Sequence, residues 1–190
     1  MSASPKSQTV LTAEEFWELP EPPHGGRTEL VGGRVVEEMP VGRLHARIVG
    51  RLVKSLSLFV DEHRLGEVHV ELGHRTATDP DTVRAPDVSF MAAERLGPTV
   101  GDRYVEGAPT LAIEVMSPED READVAHKVA EYFDAGAERV WIVRPRNRTV
   151  TVHRPGGDAH TYSGPSVLSS DDAGFSESGF ELDLAQIFAD

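Results

Sequence analysis

Apolar residues recur along this chain with periods that name its elements. Between Arg43 and about His63, Leu44, Ile48, Leu52, Leu56 and Phe59 follow one another at steps of four and three, which keeps them on one face of an amphipathic helix. Two later segments, TLAIEVM at 110–116 and VWIV at 140–143, are apolar at almost every position and predict strands covered on both faces. Between them, Ser117 as an N-cap, Pro118 in the first turn and Asp120 at the third position predict a helix to Ala135, stopped by Gly136. Strand, helix and strand then form a parallel, right-handed crossover.

Upstream of the long helix, Thr12 and Glu15 match a capping box that opens a short helix, and Pro20 closes it. RTELVGGRVVEEM reads as a hairpin turning at Gly32 and Gly33. After the helix, VHVEL at 68–72 predicts a first core strand, Asp79, Pro80 and Asp81 a turn, and Arg84 to Met91 a second strand. Short strands follow near 149–153 and 158–162, GPSVLSSDDAG reads as a polar loop, and GFELDLAQIF as a small closing helix. Residues 1–10 carry no pattern and are expected to fray, and residues 11–190 are expected to form a single α/β domain, since 190 residues suit one core.

Composition removes whole classes of chemistry. The chain has no cysteine, so thiol nucleophiles, disulfides and Cys-ligated zinc are excluded. No apolar run is long enough to span a bilayer or to serve as a signal-peptide core, which predicts a cytoplasmic protein with no membrane partner. The net charge of −13 argues against a nucleic-acid partner. Its distribution weakens that objection: residues 1–40 hold three Lys/Arg against seven Asp/Glu, residues 155–190 hold none against seven, and the middle is close to balance. HExxH, GxSxG, P-loop and dinucleotide-binding patterns are all missing, and no aromatic stacking platform is visible.

Two acids stand out against this background. Asp87 in RAPDVSF and Glu114 in LAIEVMSP each interrupt an apolar, strand-like run, where a carboxylate is costly unless a cation or a hydrogen-bond donor compensates it. A metal shared between them is one such compensation, whereas an unpartnered acid between Ile113 and Val115 has little structural justification. Lys128, in the helix after Glu114, could form a surface pair with Asp124 at i,i+4 or turn inward. Glu29 in the hairpin is either a third acid or a hydrated edge residue. His45 is a general base, a phosphate donor or a packing residue. Arg43, Arg47, Arg51 and Lys54 trace a stripe that suits either phosphate contacts or a solvated face.

Taken in order, ELVGGRVV, His45, RAPDVSF, LAIEVMSP, Asp124 to Lys128, Tyr132 and GAERVWIVRP resemble the Uma-two family of restriction-endonuclease-like proteins within the PD-(D/E)XK nuclease superfamily, over about residues 10–188. The resemblance implies a restriction-endonuclease-like fold: a mixed central sheet flanked by helices in an αβββαβ core, with an N-terminal hairpin and extra C-terminal strands. It also implies Mg²⁺-dependent DNA cleavage, with Mn²⁺ as a substitute. Carried over to this sequence, Asp87 and Glu114 would hold the metal with the Val115 carbonyl, and Lys128 would orient the attacking water. Glu29 and His45 would complete the site. A homodimer is the default for cutting both strands. The chain departs from the superfamily at Met116, where a lysine is expected. That departure, with the acidic composition, leaves open a nuclease-fold module that binds without cleaving.

Overall fold

The computed structural model describes residues 10–20, 22, 25–97 and 103–189. Helix α1 spans Ala13–Trp17 under the expected Thr12–Glu15 capping box. Strands β1 (Arg27–Val31) and β2 (Arg34–Glu38) form the hairpin through Gly32 and Gly33, both at positive φ, with Arg27 opposite Glu38 and Glu29 opposite Val36. Helix α2 covers Arg43–His63. Strands β3 (Gly66–His69), β4 (His74–Ala77), β5 (Thr82–Arg84), β6 (Val88–Ala92), β7 (Val105–Glu106) and β8 (Leu111–Val115) lead to helix α3 (Glu122–Asp134). Then come β9 (Arg139–Arg144), β10 (Thr149–His153), β11 (Ala159–Ser163), β12 (Val167–Ser169), helix α4 (Ser170–Ala173), β13 (Glu181–Asp183) and helix α5 (Leu184–Phe188).

The strands sort into a six-stranded sheet, β11-β10-β9-β8-β6-β3, a five-stranded sheet, β2-β1-β5-β4-β7, and the small β12-β13 ribbon. Within the larger sheet α2, β3, β6, β8, α3 and β9 give the expected αβββαβ order, and β8 and β9 run parallel as the crossover requires. Alternation along β8 sends Leu111, Ile113 and Val115 into a core with Ile48, Leu52, Leu56 and Val60 of α2. Ala112 faces the other way, toward Tyr132 of α3 and Val140 and Ile142 of β9. Glu114, two residues on, therefore points at α3. Each fully buried Leu or Ile of α2 contributes roughly 1.5–3 kcal/mol relative to exposure, so this helix is a principal anchor of the sheet.

Several boundaries differ from the expectations, each for a local reason. The buried stripe of α2 is His45, Ile48, Leu52, Leu56 and Val60, and Leu44 lies outside it. The strand after α2 is an edge strand that ends before the exposed Val70. The segment expected as one strand from Arg84 to Met91 is two: β5 belongs to one sheet and β6 to the other, and Ala85-Pro86-Asp87 carries the chain between them. Pro86 has no amide proton to continue a ladder. Helix α3 begins at Glu122 with Arg121 as N-cap, because Ser117 and Asp120 instead close a separate turn in which the Asp120 carboxylate accepts from the Ser117 amide at 2.7 Å. GPSVLSSDDAG contains β12 and α4, with Leu168, Asp172 and Ala173 buried. The expectation for residues 1–10 falls, apart from Val10, outside the described residues. Among those described, no helix is long and apolar enough to cross a membrane.

Candidate active site

Asp87 sits where the chain enters β6. The antiparallel register pairs Val88 with Ile113, so Asp87 stands one step beyond it, opposite Glu114. Its side chain is 2% exposed and fully engaged. One carboxylate oxygen, Oδ2, accepts from the Val115 amide at 2.7 Å and lies 3.2 Å from His45 Nε2; the other accepts from Arg27 Nη1 at 2.8 Å. Burial alone would raise the Asp87 pKa, but the His45 bond and the Arg27 charge outweigh it and hold the group below its usual range. His45 shifts the other way. Burial pulls it down, yet the bond to Asp87 and the nearby Val115 backbone carry it above the ordinary imidazole value.

Glu114 is placed by alternation on β8 and met by α3. Tyr132 Oη donates to Glu114 Oε1 at 2.7 Å, and Lys128 Nζ, one helical turn earlier, lies 3.6 Å from Oε2. Burial pushes the Glu114 carboxyl up; the Lys128 charge opposes this, the charges of Asp87 and Glu29 add to it, and the group is raised to about 7. Lys128 does not pair with Asp124. It reaches inward to Glu29 at 3.3 Å and Glu38 at 3.1 Å as well as Glu114. Burial pulls the ammonium down, but these three acids outweigh it and keep it charged.

The hairpin does fold over the site. Glu29, 1% exposed, accepts from Arg84 Nη1 at 2.8 Å and from the Ala85 amide at 3.0 Å in addition to Lys128. Arg27 and Glu29 share one face of β1, and Glu38 faces Arg27 across the hairpin, where the guanidinium Nε donates to the Glu38 carboxylate. Arg84 in turn binds Glu131 of α3 at 2.6 Å. Arg27, Glu38, Arg84, Glu131 and the role of Tyr132 were not read from the sequence. The one available signal was the two-residue spacing of Arg27 and Glu29 on a strand opposite Glu38. The basic stripe of α2 divides: Arg51 donates to the carbonyls of Ile187 and Ala189 and ties down α5, while Arg43 and Lys54 are exposed. Met116, in the position where a lysine was sought, packs against the α3-side core.

Among the described residues no three His, Asp or Glu side chains form a metal-holding group. Glu29 is engaged by Arg84, Ala85 and Lys128. The Asp87 and Glu114 carboxylates with the Val115 carbonyl are nevertheless a hard oxygen set of the kind divalent cations prefer. Burial first, and then the charges of Asp87 and Glu29, raises Glu114, and a cation beside it would offset both. On these grounds the residues fit such an ion, with Arg27 as its competitor for one Asp87 oxygen.

The comparisons agree with this architecture. The structure is similar to the crystal structure of a nuclease from Anabaena variabilis, titled "putative" and assigned to DUF820, with a TM-score of 0.79 and 22% identity over 94% of this chain and 98% of that one. At that identity the likeness establishes the fold. No curated protein matches the chain. The Uma2 family model, described as "Putative restriction endonuclease", matches residues 13–186, and the chain therefore belongs to the Uma2 family.

Proposed function

We propose that this chain is a Mg²⁺-dependent DNA endonuclease, with Mn²⁺ able to substitute, whose centre is Asp87, Glu114 and Lys128. The observation that carries the reading is the meeting of two buried carboxylates at opposite positions of neighbouring strands with an inward lysine 41 positions after Asp87. Asp87, Glu114 and the Val115 carbonyl would hold the ion, which when bound supplies Lewis acidity toward a phosphate oxygen and acidifies a water. Lys128 remains an ammonium, so it can donate to the attacking water and offset charge on the phosphorane-like transition state. Tyr132 fixes the orientation of Glu114 through its hydroxyl, and His45 and the Val115 amide fix Asp87, which makes Tyr132 and His45 positioning residues. Glu29 and Glu38 keep Lys128 charged and aimed.

A second reading is supported by the Arg27 guanidinium on Asp87, together with Met116: a nuclease fold that binds without cutting. One experiment separates the two. Supercoiled plasmid is incubated at low salt with Mg²⁺ or Mn²⁺ and wild type, Asp87→Asn or Lys128→Ala, while metal binding is followed by thermal shift. The endonuclease reading expects nicking by wild type alone and a metal-dependent rise in Tm that Asp87→Asn removes. Metal binding without nicking moves the conclusion to the silent module, and equal nicking by all three proteins identifies a contaminant.

A further inference from the structure

Trp17 and Tyr104 stand at an open cleft that the active site does not account for. The cleft, about 900 Å³ in volume, opens between α1, the start of β1 and the 68–73 segment, and its walls among the described residues include Phe16, Trp17, Val70, Tyr104, Arg27 and Arg103. Such a volume suits a nucleotide-sized ligand. Trp17 is 42% exposed, a large aromatic surface left in water. Its ring meets Tyr104 edge-on with centroids 5.2 Å apart, and Phe16 stacks on Tyr104 at 6.0 Å. Tyr104 is itself pinned in place. The Val105 amide donates to the Gly73 carbonyl at 2.9 Å, and a Cβ at Gly73 would lie 2.4 Å from the Tyr104 ring, so only glycine lets the ring settle there. These contacts join the rings into an aromatic shelf that leaves the Trp17 indole partly in water.

The shelf is continuous with the proposed catalytic centre. Arg27 lines the cleft and also donates to Asp87 at 2.8 Å, and Ala85, two residues before Asp87, forms part of the same wall. The acid in the wall, Glu71, lies 3.5 Å from Arg27, and Arg103 lies 3.2 Å from Glu18 at the surface. We propose that the cleft receives one unpaired nucleotide of a nucleic-acid strand, its base stacked on the Trp17 indole and its phosphate led past Arg27 toward Asp87. This rests on the endonuclease reading and narrows its substrate to frayed ends, bulges or single strands. A base in continuous duplex must first leave its stack to enter. Every base offers a π-face, so the shelf is indifferent to sequence.

Binding can be tested without metal or cleavage. Trp141 is fully buried and is the only other tryptophan in the chain, so quenching of indole fluorescence by a stacked base reports on Trp17. In EDTA at low salt, a single-stranded DNA hexamer should quench, whereas an abasic deoxyribose-phosphate hexamer and a blunt duplex should quench at least about fivefold less at equal concentration. Anisotropy of a fluorescein-labelled hexamer should show about tenfold weaker binding for Trp17→Ala and near-wild-type binding for Trp17→Phe, with both variants still folded and unfolding in one cooperative transition. Equal quenching by the abasic strand or by duplex, or a Trp17→Ala affinity equal to wild type, overturns the proposal. Nicking of plasmid alongside any of those results would leave the endonuclease reading standing and remove the cleft alone.

Discussion

Glu114 and Asp172 are both buried carboxylates that accept a tyrosine hydroxyl at 2.7 Å, from Tyr132 in one case and Tyr162 in the other. Their remaining surroundings diverge. Asp172 also accepts from the Ser169 amide and hydroxyl, each at 2.8 Å, and from Arg154 at 2.7 Å. Burial alone would raise it, but these donors hold it below the usual carboxylate range. Glu114 has no comparable cation of its own: Lys128 stands at 3.6 Å and is shared with Glu29 and Glu38, while Asp87 and Glu29 press on it with like charge. The acid that builds the C-terminal architecture is saturated with donors. The acid at the candidate centre is left short of positive charge, which a ligand can supply.

The largest expected effects break this contrast through activity. Lys128→Ala and Asp87→Asn should each lower plasmid nicking by about 10²–10³-fold, roughly 3–4 kcal/mol of transition-state stabilisation, whereas Asp172→Asn should leave the rate of the folded protein unchanged. Single-turnover nicking rates check this, and an Asp172→Asn rate as low as that of Lys128→Ala would dissolve the distinction. In stability the order reverses. Asp172→Ala leaves Tyr162 and the Ser169 amide without their acceptor and Arg154 with Asp171 alone, and should cost about 3 kcal/mol in urea unfolding, while Glu114→Gln should cost less than about 1 kcal/mol at pH 8 in EDTA.

Acidity sharpens the comparison because the two groups have opposite signs. Asp172 is depressed in the folded state, so its contribution is complete above its unfolded value of 3.8 and is lost as pH falls through the folded one. Glu114 is raised from 4.5 to about 7. Between those values the unfolded chain releases a proton that the folded chain keeps, so stability falls as pH rises, by about 3 kcal/mol in all. The fully buried His74, lowered from 6.5 to about 4, pulls the other way over nearly the same window. The prediction therefore concerns a difference: urea titrations from pH 4 to 8 should show Glu114→Gln gaining on wild type with rising pH, and parallel curves would remove the charge deficit from the argument. The smallest effect concerns the competitor. Arg27→Met frees one Asp87 oxygen and should tighten Mn²⁺ binding by about tenfold, roughly 1.4 kcal/mol, measured by calorimetry. Unchanged or weaker affinity would mean that Arg27 does not compete with the ion.

Much of this architecture could be read from periodicity, because α2, β8 and β9 bury whole faces and their patterns are strong. Asp87 and Glu114 stood out since each breaks an apolar run. Their supporting cast did not. Arg27, Glu38 and Arg84 lie on short strands whose charged residues look like any solvated hairpin, and their partners are distant in sequence: 60 residues from Arg27 to Asp87 and 90 from Glu38 to Lys128. No local pattern encodes such pairings. The same limit explains Lys128, whose i,i+4 acid offered a nearby partner that it declines. It also explains the division of Arg84 to Met91, where a single proline separates two sheets without altering the apolar rhythm around it.

That passage at Ala85-Pro86-Asp87 leaves Arg27, Glu29 and Glu38 on one sheet and Asp87 and Glu114 on the other, joined through Arg27 and Lys128. The hairpin is thus clasped to the rest of the molecule by the same ionic contacts that a bound ion and substrate would rearrange. Its backbone amides become a gauge of site occupancy. Hydrogen–deuterium exchange in β1 and β2 should change with loading, while the amides of β9, held by apolar packing on both faces, keep a constant rate.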